Sequence, residues 1–227
     1  VALLPEIPTV ITPLVDKKAD VVDQTPQYKV AVFYSISNCE PGLRGVSMGN
    51  FLIKRVAEQL HAEFPGIKTF VTLSPIPGFM DWVAAGANLG DGVPAERLKP
   101  NLKLVRDSSL AVLGLDSQSW SERLAGGWHP DLASEKEKAA LLSLASMYLG
   151  LASTGRDGNP VAKFHLGNGA KLHLVNWAGD LSRKGLRQSA GLMVNYLYDL
   201  GSVEDNHERF ANGEIVYSRA VARLMAP

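Results

Sequence analysis

A serine that precedes a rigid turn is the first residue of this chain whose setting suggests chemistry. Ser74 ends an apolar segment and is followed by Pro75, Pro77 and Gly78. Because proline fixes the backbone φ angle, the two prolines would present the Ser74 hydroxyl from a rigid strand end, where it could act as a nucleophile or exchange a proton. The same pattern also fits an ordinary serine that caps a turn. The chain has no Gly-x-Ser-x-Gly elbow, so an α/β-hydrolase is not indicated.

Histidine is the side chain best suited to exchange protons with such a serine near neutral pH. The chain has five: His61, His129, His165, His173 and His207. His165 lies between Phe164 and Leu166 in an apolar segment, where burial and a partner could shift its pKa. His173 lies in the next apolar segment, and spacing alone does not choose between the two. For each of them a purely structural role is the alternative.

Other polar residues could support an imidazole. Asn176 and Asp180 flank Trp177 and could orient a histidine ring, although each also fits a turn. Tyr196 and Tyr198 lie in an apolar segment that is predicted to be mostly helical, so they would point to different sides of a helix. One of the two tyrosines would then belong to the core, and the other could reach a polar site.

A glycine-containing loop leads into a predicted helix over Phe51–Phe64, which Asn50 could cap. Backbone N–H groups at the start of a helix favour an anion, and Arg44 could pair with a phosphate. The loop matches neither a P-loop nor Gly-x-Gly-x-x-Gly. Instead, Arg44–Gly49 approximates the Arg/Gln-x-x-Gly-x-Gly/Ala loop of GNAT-type acetyltransferases, which holds the pyrophosphate of coenzyme A, with Ser47 in place of the first glycine. A turn without any ligand fits this sequence as well.

Hydrophobic patterning predicts the elements that would position these residues. Strands are expected over Tyr28–Ser37 and Ile67–Leu73. A β-hairpin is expected from Val161–Leu166 and Lys171–Trp177, because Asn168-Gly169 between them suits a tight turn. The alternation of strand, helix and strand indicates a mixed α/β or α+β domain.

Three further segments complete this prediction. A helix should run from a capping box formed by Ser134 and Glu137 to about Gly150. Residues 185–200 should be mostly helical. Residues 5–27, which are rich in Pro, Asp and Lys, should form a surface connection.

Composition excludes several classes of protein. Of the 227 residues, 46% are hydrophobic, which excludes disorder, and the formal net charge of zero argues against a strongly basic nucleic-acid binder. No apolar run reaches the length of a membrane span. Cys39 is the only cysteine, so no internal disulfide and no Cys/His zinc spacing is expected, which favours a reducing compartment.

The chain begins inside an apolar run, Val1–Leu4, which looks like the stump of a strand. We therefore expect residues 1–227 to be one domain of a longer protein. A cytoplasmic location is expected, with a mitochondrial one left open because a targeting signal could precede residue 1.

Several multi-residue blocks together resemble the C-terminal catalytic domain of the malonyl-CoA decarboxylase family. They are FYSIS (33–37), GVSMGNFLIKRV (45–56), LSPIPGF (73–79), PVAKFHLGNGA (160–170), NWAGD (176–180) and SAGLMVNYLY (189–198). The resemblance implies a GNAT-like fold, with a central mixed β-sheet flanked by helices, that follows a helical N-terminal domain. It implies decarboxylation of malonyl-CoA to acetyl-CoA and carbon dioxide without a cofactor or metal, a role in regulating malonyl-CoA in fatty acid metabolism, and a homo-oligomer.

The resemblance also implies roles for individual residues. Ser74 and His165 would form the catalytic pair, in preference to His173, and Tyr198 would support it. Asn176 is expected to help orient the pair. The loop that would bind coenzyme A consists of Arg44, Gly45, Val46, Ser47, Met48, Gly49 and Asn50. Animal relatives carry a glutamate in place of Ser47, so a carboxylate partner for the site would have to come from elsewhere.

Two other functions remain open from the sequence. A GNAT-type acyltransferase would share the coenzyme A loop but would transfer an acetyl group to an amine. A coenzyme A-binding module without catalysis would use Ser74 and His165 for structure only.

Overall fold

The computed structural model describes residues 1–16, 28–34, 49–89, 100–114, 117–155 and 158–226. Within these residues six strands form one mixed sheet. The strands are β1 (Ala2–Leu4), β2 (Val30–Phe33), β3 (Thr69–Thr72), β4 (Ser74–Pro75), β5 (Lys171–Asn176) and β6 (Met193–Tyr198).

The directions of the strands decide which residues meet at one edge of the sheet. Strands β2 and β3 are parallel, whereas β6 runs antiparallel to β3, β4 and β5. The carboxyl ends of β2, β3 and β5 therefore share an edge, and Ser74 lies there. The pairing of β3 and β4 with β6 keeps one register, from Phe70 opposite Tyr198 to Pro75 opposite Met193.

Helices account for most of the remaining described residues. They are α1 (Thr12–Val15), α2 (Gly49–Glu63), α3 (Phe79–Ala84), α4 (Pro100–Leu113), α5 (Ser117–Ala125), α6 (Glu135–Gly150), α7 (Pro160–Gly167), α8 (Arg183–Ser189), α9 (Val203–Ala211) and α10 (Arg219–Leu224). Short 3₁₀ turns cover Pro130–Leu132 and Ala152–Thr154. Helix α6 is buried along most of its length and contributes mainly apolar side chains to the larger core.

The alternation of side chains along the strands gives the sheet two different faces. On β6, Tyr196 and Tyr198 point to the larger core, which the helices cover. Met193 belongs to a smaller cluster on the other face, together with Val71 and Leu73 from the neighbouring segment that contains β3 and β4. The larger core continues around Phe70, two residues before Thr72. Alternate residues along these strands therefore point to two different faces of the sheet, one covered by the helices and a second one opposite to it.

Residues 1–16 cover the second face, which corrects the prediction that residues 5–27 form only a surface connection. Ile7, Ile11 and Leu14 are partly buried against that smaller cluster. Backbone contacts also hold the segment, since the Ile11 N–H donates to the carbonyl of Gly179 at 2.8 Å. Residues 17–27 lie outside the described residues.

Several predicted elements are confirmed. Strands occur inside Tyr28–Ser37 and Ile67–Leu73, and Val1–Leu4 contains an edge strand. The capping box of Ser134 and Glu137 is present at the start of α6, which ends at Gly150 as predicted. The mixed α/β class is confirmed by this combination of sheet and helices.

Two predictions of element type were wrong. The segment 161–166 is not a strand, because Asn159 caps a helix there and Pro160 occupies its first turn. Asn168 and Gly169 end that helix instead of turning a hairpin, and Gly169 has the positive φ of 78° that is typical of a helix end.

The segment 185–200 is not one helix either. Helix α8 ends at Ser189, after which Ala190 and Gly191 adopt φ angles of 51° and 78° that no right-handed helix can continue. The chain then forms β6, whose β-branched and aromatic residues fit a strand. Tyr196 and Tyr198 consequently point to the same face and not to different sides of a helix.

Candidate active site

Ser74 and His165 lie in direct contact although they are 91 positions apart in the chain. Ser74 Oγ is 3.3 Å from Nε2 of His165, and both side chains are buried. The Ser74 hydroxyl also donates to Oγ1 of Thr72 at 3.0 Å. The serine thus contacts Thr72 at the end of β3 and His165 on a helix.

The turn after Ser74 is fixed from two sides. Strand β4 pairs with β6, with Ser74 opposite Val194. The carbonyl of Pro77 accepts hydrogen bonds from Nδ2 of Asn159 at 2.7 Å and from the hydroxyl of Tyr148 at 3.3 Å. These contacts hold the hydroxyl of Ser74 in place at the edge of the sheet.

Helix α7 carries His165 on its buried face. Ala162, His165 and Leu166 are the buried residues of this helix, a spacing of three and four that is typical of a helix against a core. Nδ1 of His165 lies 2.9 Å from the Tyr198 hydroxyl, and the imidazole stacks on the ring of Tyr196 with centroids 4.8 Å apart. Both nitrogens and one face of the imidazole are therefore in contact with neighbours.

Burial determines the protonation of this cluster. Loss of hydration lowers the pKa of His165 from 6.5 to about 3. Burial likewise raises the pKa values of Tyr198 and Tyr196 well above the ordinary range of a phenol. The imidazole and both phenols are therefore neutral at neutral pH, and the cluster holds no charge that would oppose an incoming anion.

The contacts around His165 allow two arrangements of protons. If the Tyr198 hydroxyl donates to Nδ1, Nε2 carries a proton toward Ser74, and Ser74 donates to Thr72. If Nδ1 donates to Tyr198 instead, Nε2 accepts from Ser74. Since hydroxyls both donate and accept, the same positions of heavy atoms serve both arrangements. The hydrogen bond between Ser74 and His165 can therefore run in either direction without a movement of heavy atoms.

Comparisons with known proteins show to which family the chain belongs. The family model described as malonyl-CoA decarboxylase C-terminal domain matches residues 1–227. The chain is 37% identical to the mitochondrial malonyl-CoA decarboxylase of Anser anser anser over 220 residues, which cover 91% of this chain and 42% of that protein. It is 39% identical to the mitochondrial enzyme of Rattus norvegicus over 188 residues, which cover 78% of this chain and 36% of that protein.

This chain belongs to the malonyl-CoA decarboxylase C-terminal domain family.

Solved structures give the same result. A crystal structure of malonyl-CoA decarboxylase from Rhodopseudomonas palustris matches with a TM-score of 0.72 and 41% identity, covering 98% of this chain and 48% of that chain. The malonyl-CoA decarboxylase of Cupriavidus metallidurans matches with a TM-score of 0.71 and 39% identity, covering 98% of this chain and 53% of that chain. The predicted GNAT-like fold class is confirmed by these matches. The chain spans less than half the length of the Anser anser anser and Rattus norvegicus proteins.

Among the described residues of this member of the malonyl-CoA decarboxylase family, His173 forms no hydrogen bond with Ser74 or His165. It lies in β5 where the pairing with β6 shifts by one residue, between Leu172 and Leu174. Among the same residues, its Nδ1 is buried without a hydrogen-bond partner. Burial, together with the charge of Lys171, lowers the pKa of His173.

Asn176 lies away from the pair, which corrects the expectation that it orients His165. Its amide donates to Oδ1 of Asn195 at 2.7 Å. Asn195 points to the second face of the sheet, where its own amide donates to the carbonyl of Pro8 at 3.1 Å. The same amide donates to the backbone carbonyl of Thr72 at 2.9 Å, so Asn176 is two contacts removed from the residue that binds Ser74.

The predicted coenzyme A loop falls mostly outside the described residues. Nothing is described for Arg44–Met48, whereas Gly49 begins α2 and Asn50 therefore lies inside the first turn instead of at the predicted cap. Helix α2 joins two parallel strands, and near its end Nδ1 of His61 lies 2.9 Å from the carbonyl oxygen of Ile67, two residues before β3. With 15 residues the helix is about 22 Å long.

Sequence reasoning missed two residues of the site. Thr72 and Ser74 are two positions apart on one strand line, so strand periodicity could have placed them on the same face. Asn159 precedes Pro160, and an asparagine followed by proline is a frequent start of a helix.

No group of three or more His, Cys, Asp or Glu side chains that could hold a metal ion occurs among the described residues. In the described part of the chain, no helix is both long and apolar enough to cross a membrane.

Proposed function

We propose that this chain is the catalytic domain of a malonyl-CoA decarboxylase, which converts malonyl-CoA to acetyl-CoA and carbon dioxide. The observation that carries the proposal is the contact between Ser74 Oγ and His165 Nε2, in a chain that matches the family model from end to end. Such an enzyme would set the level of malonyl-CoA available to fatty acid metabolism. A cytoplasmic location and assembly into a homo-oligomer stay predictions.

Decarboxylation requires the protein to stabilise an enolate and to supply a proton. Breaking the bond between the carboxylate and the α-carbon releases carbon dioxide and leaves the electron pair on a thioester enolate. Hydrogen-bond donors aimed at the enolate oxygen stabilise it, each by about 3–4 kcal/mol in well-built sites. A proton must then reach the α-carbon, so each turnover consumes one proton from solvent.

His165 is the proposed proton donor. The free site holds a neutral imidazole because burial lowers its pKa to about 3. A malonyl group brings a carboxylate into the same pocket, and a nearby opposite charge favours the protonated imidazole. Substrate binding would thus load the proton that decarboxylation needs, and the loss of carbon dioxide would remove the charge that retained it.

Ser74 and Tyr198 have distinct proposed roles. The Ser74 hydroxyl, within reach of Nε2, would hold the malonyl group and relay or accept the proton. Tyr198 would fix the ring of His165 through Nδ1. An apolar surround favours the reaction as well, because the departing carboxylate loses its charge on the way to the transition state.

Coenzyme A would be held by residues 44–50, as the family resemblance implies. In support, α2 begins at Gly49, within this segment, and the first N–H groups of a helix favour an anion. Arg44 would add its guanidinium to the pyrophosphate, and Gly45, Val46, Ser47, Met48, Gly49 and Asn50 would complete the loop.

Turnover of malonyl-CoA by the full-length gene product tests the proposal. Acetyl-CoA is followed by chromatography for the wild type, Ser74→Ala and His165→Asn, with folding checked by circular dichroism. We expect each variant to lower kcat at least about tenfold while remaining folded. His173→Asn is the matched control and should keep the wild-type kcat.

Two results would overturn the proposal. Near-wild-type turnover in Ser74→Ala or His165→Asn would remove the assigned pair. A wild type that yields an acetylated amine and free coenzyme A, without carbon dioxide, would identify an acyltransferase instead.

A further inference from the structure

Two of the hydrogen bonds of Asn159 connect the two halves of the site. Its side chain is fully buried, its Oδ1 accepts from the N–H of Ala162 at 2.9 Å, and its Nδ2 donates to the carbonyl of Pro77 at 2.7 Å. The first bond caps helix α7 and the second joins the turn that follows Ser74. One side chain thus links segments 82 positions apart.

The location of Asn159 makes this link relevant to the catalytic pair. It precedes α7 directly, and His165 lies six positions later, about 9 Å along the helix axis. Pro77 lies three positions after Ser74 on a turn whose φ angles prolines restrict. Both partners of the Ser74–His165 contact are therefore carried by short, stiff segments whose other ends Asn159 joins.

Among the residues that commonly cap helices, only asparagine can form both bonds. Serine, threonine and aspartate can all accept the N–H of a helix start, but aspartate has no donor and serine is too short to reach a second segment. The amide supplies an acceptor and a donor on one planar group. The direction of the amide is fixed, since the N–H of Ala162 is a donor and the carbonyl of Pro77 an acceptor.

We infer that Asn159 is a positioning residue that sets the separation of Ser74 and His165. It touches neither member of the pair and acts by joining the start of α7 to the Pro77 carbonyl. The inference rests on the proposed function for its kinetic consequences. A shift of about 1 Å between reacting groups can cost about 100-fold in rate, so a loosened link should be visible in kcat.

Asn159→Asp separates the two bonds, because a carboxylate keeps the cap of α7 but cannot donate to Pro77. We expect kcat for malonyl-CoA to fall about ten- to hundredfold, with KM within about twofold of wild type. Asn159→Ser, which keeps the cap without placing a charge against the carbonyl, should give a loss in the same direction and covers the case that Asn159→Asp does not fold. Ser134→Ala changes the N-terminal cap of another helix, α6, and is the control for a local change at a helix start, with kcat expected to be unchanged.

A double-mutant cycle distinguishes positioning from general structural support. If Asn159 acts through the pair, Asn159→Ser should change kcat less than about threefold in the Ser74→Ala background. An equal loss in both backgrounds would overturn the inference. So would a wild-type kcat in both Asn159 variants.

The ring nitrogens of His165 provide a readout that needs no turnover. Their ¹⁵N chemical shifts in the labelled protein should change in Asn159→Ser, because the Nε2 contact with Ser74 weakens, and should stay constant in Ser134→Ala. Unchanged shifts in Asn159→Ser would overturn the inference. If the wild type lacks decarboxylase activity, the proposed function fails, and these shifts still decide the positioning role.

Discussion

The Tyr198 hydroxyl lies 2.9 Å from Nδ1 of His165, whereas the other ring nitrogen, Nε2, faces Ser74. Because burial raises the pKa of Tyr198 and keeps it a neutral phenol, its hydroxyl can either donate to the imidazole or accept from it. The state of Nδ1 decides whether Nε2 donates to Ser74 or accepts from it. We therefore propose that Tyr198, through Nδ1, controls which member of the pair donates in the hydrogen bond between Ser74 and His165.

Removal of the Tyr198 hydroxyl should slow the reaction without creating a cavity in the core. Tyr198→Phe keeps the buried ring but leaves Nδ1 of His165 without its partner, so neither proton arrangement is favoured. We expect kcat to fall about tenfold or more in the malonyl-CoA assay. Tyr217→Phe, at an exposed tyrosine, is the control and should have no effect. Equal kcat values for Tyr198→Phe and wild type would contradict the role of Tyr198.

Thr72 should matter through its hydroxyl alone. In Thr72→Val a methyl group replaces the acceptor for Ser74 and for the N–H of Tyr196, which donates to Oγ1 at 3.2 Å. The free energy of unfolding should fall by about 1–3 kcal/mol and kcat by about tenfold. Thr72→Ser should restore both, measured by urea denaturation and by turnover.

Thr69→Val provides the matched control for Thr72→Val, because Thr69 begins the same strand and lies five positions before Ser74. It should leave kcat at the wild-type value. A Thr72→Ser variant as slow as Thr72→Val would mean that the γ-methyl group, not the hydroxyl, is what the site requires.

The Tyr196 hydroxyl is buried without a hydrogen-bond partner among the described residues. Its ring stacks on His165, so the phenyl group and not the hydroxyl makes the described contact. Tyr196→Phe should leave the free energy of unfolding equal or raise it by up to about 1 kcal/mol, because an unsatisfied buried group is removed. Tyr196→Ala should lower it by about 3–5 kcal/mol. Urea denaturation measures both, and a clear destabilisation in Tyr196→Phe would reveal a partner for the hydroxyl.

The stability of the domain should fall in mildly acidic solution because of His165. Above pH 6.5 the imidazole is neutral in both folded and unfolded chains, whereas between its pKa values of 6.5 and about 3 only the unfolded chain binds the proton. The unfolded state binds more protons in this window, so the free energy of unfolding decreases as the pH falls, by up to about 1.4 kcal/mol per unit. His165→Asn should lose this component of the pH dependence. Parallel curves for wild type and His165→Asn between about pH 6.5 and 4 would contradict the lowered pKa.

The sequence predicted best what local patterns determine. The capping box of Ser134 and Glu137 and the strands near Val30 and Thr69 depend on residues within a few positions of one another. Helix α7 and strand β6 were assigned to the wrong class because their apolar runs are short, and eight or six residues give too few repeats to separate the two periods.

The assembly of the site depends on contacts that no local pattern contains. His165 meets Ser74 across 91 positions, and from the residues alone it could not be preferred to His173. The family resemblance made that choice, and in the structure His165 is the histidine that contacts Ser74. Asn159 and Thr72 were missed because each acts on the pair through a partner that only the folded chain supplies.

The unbroken register of β3 and β4 against β6 has a consequence for the length of this part of the chain. Phe70, Thr72 and Ser74 alternate with Val71 and Leu73, so each second side chain faces the helices. Inserting or deleting one residue between Thr69 and Ser74 would turn the serine toward residues 1–16, on the wrong side of the sheet. An apolar substitution of similar size at Val71 or Leu73 can be absorbed by packing, but a change in the number of residues cannot.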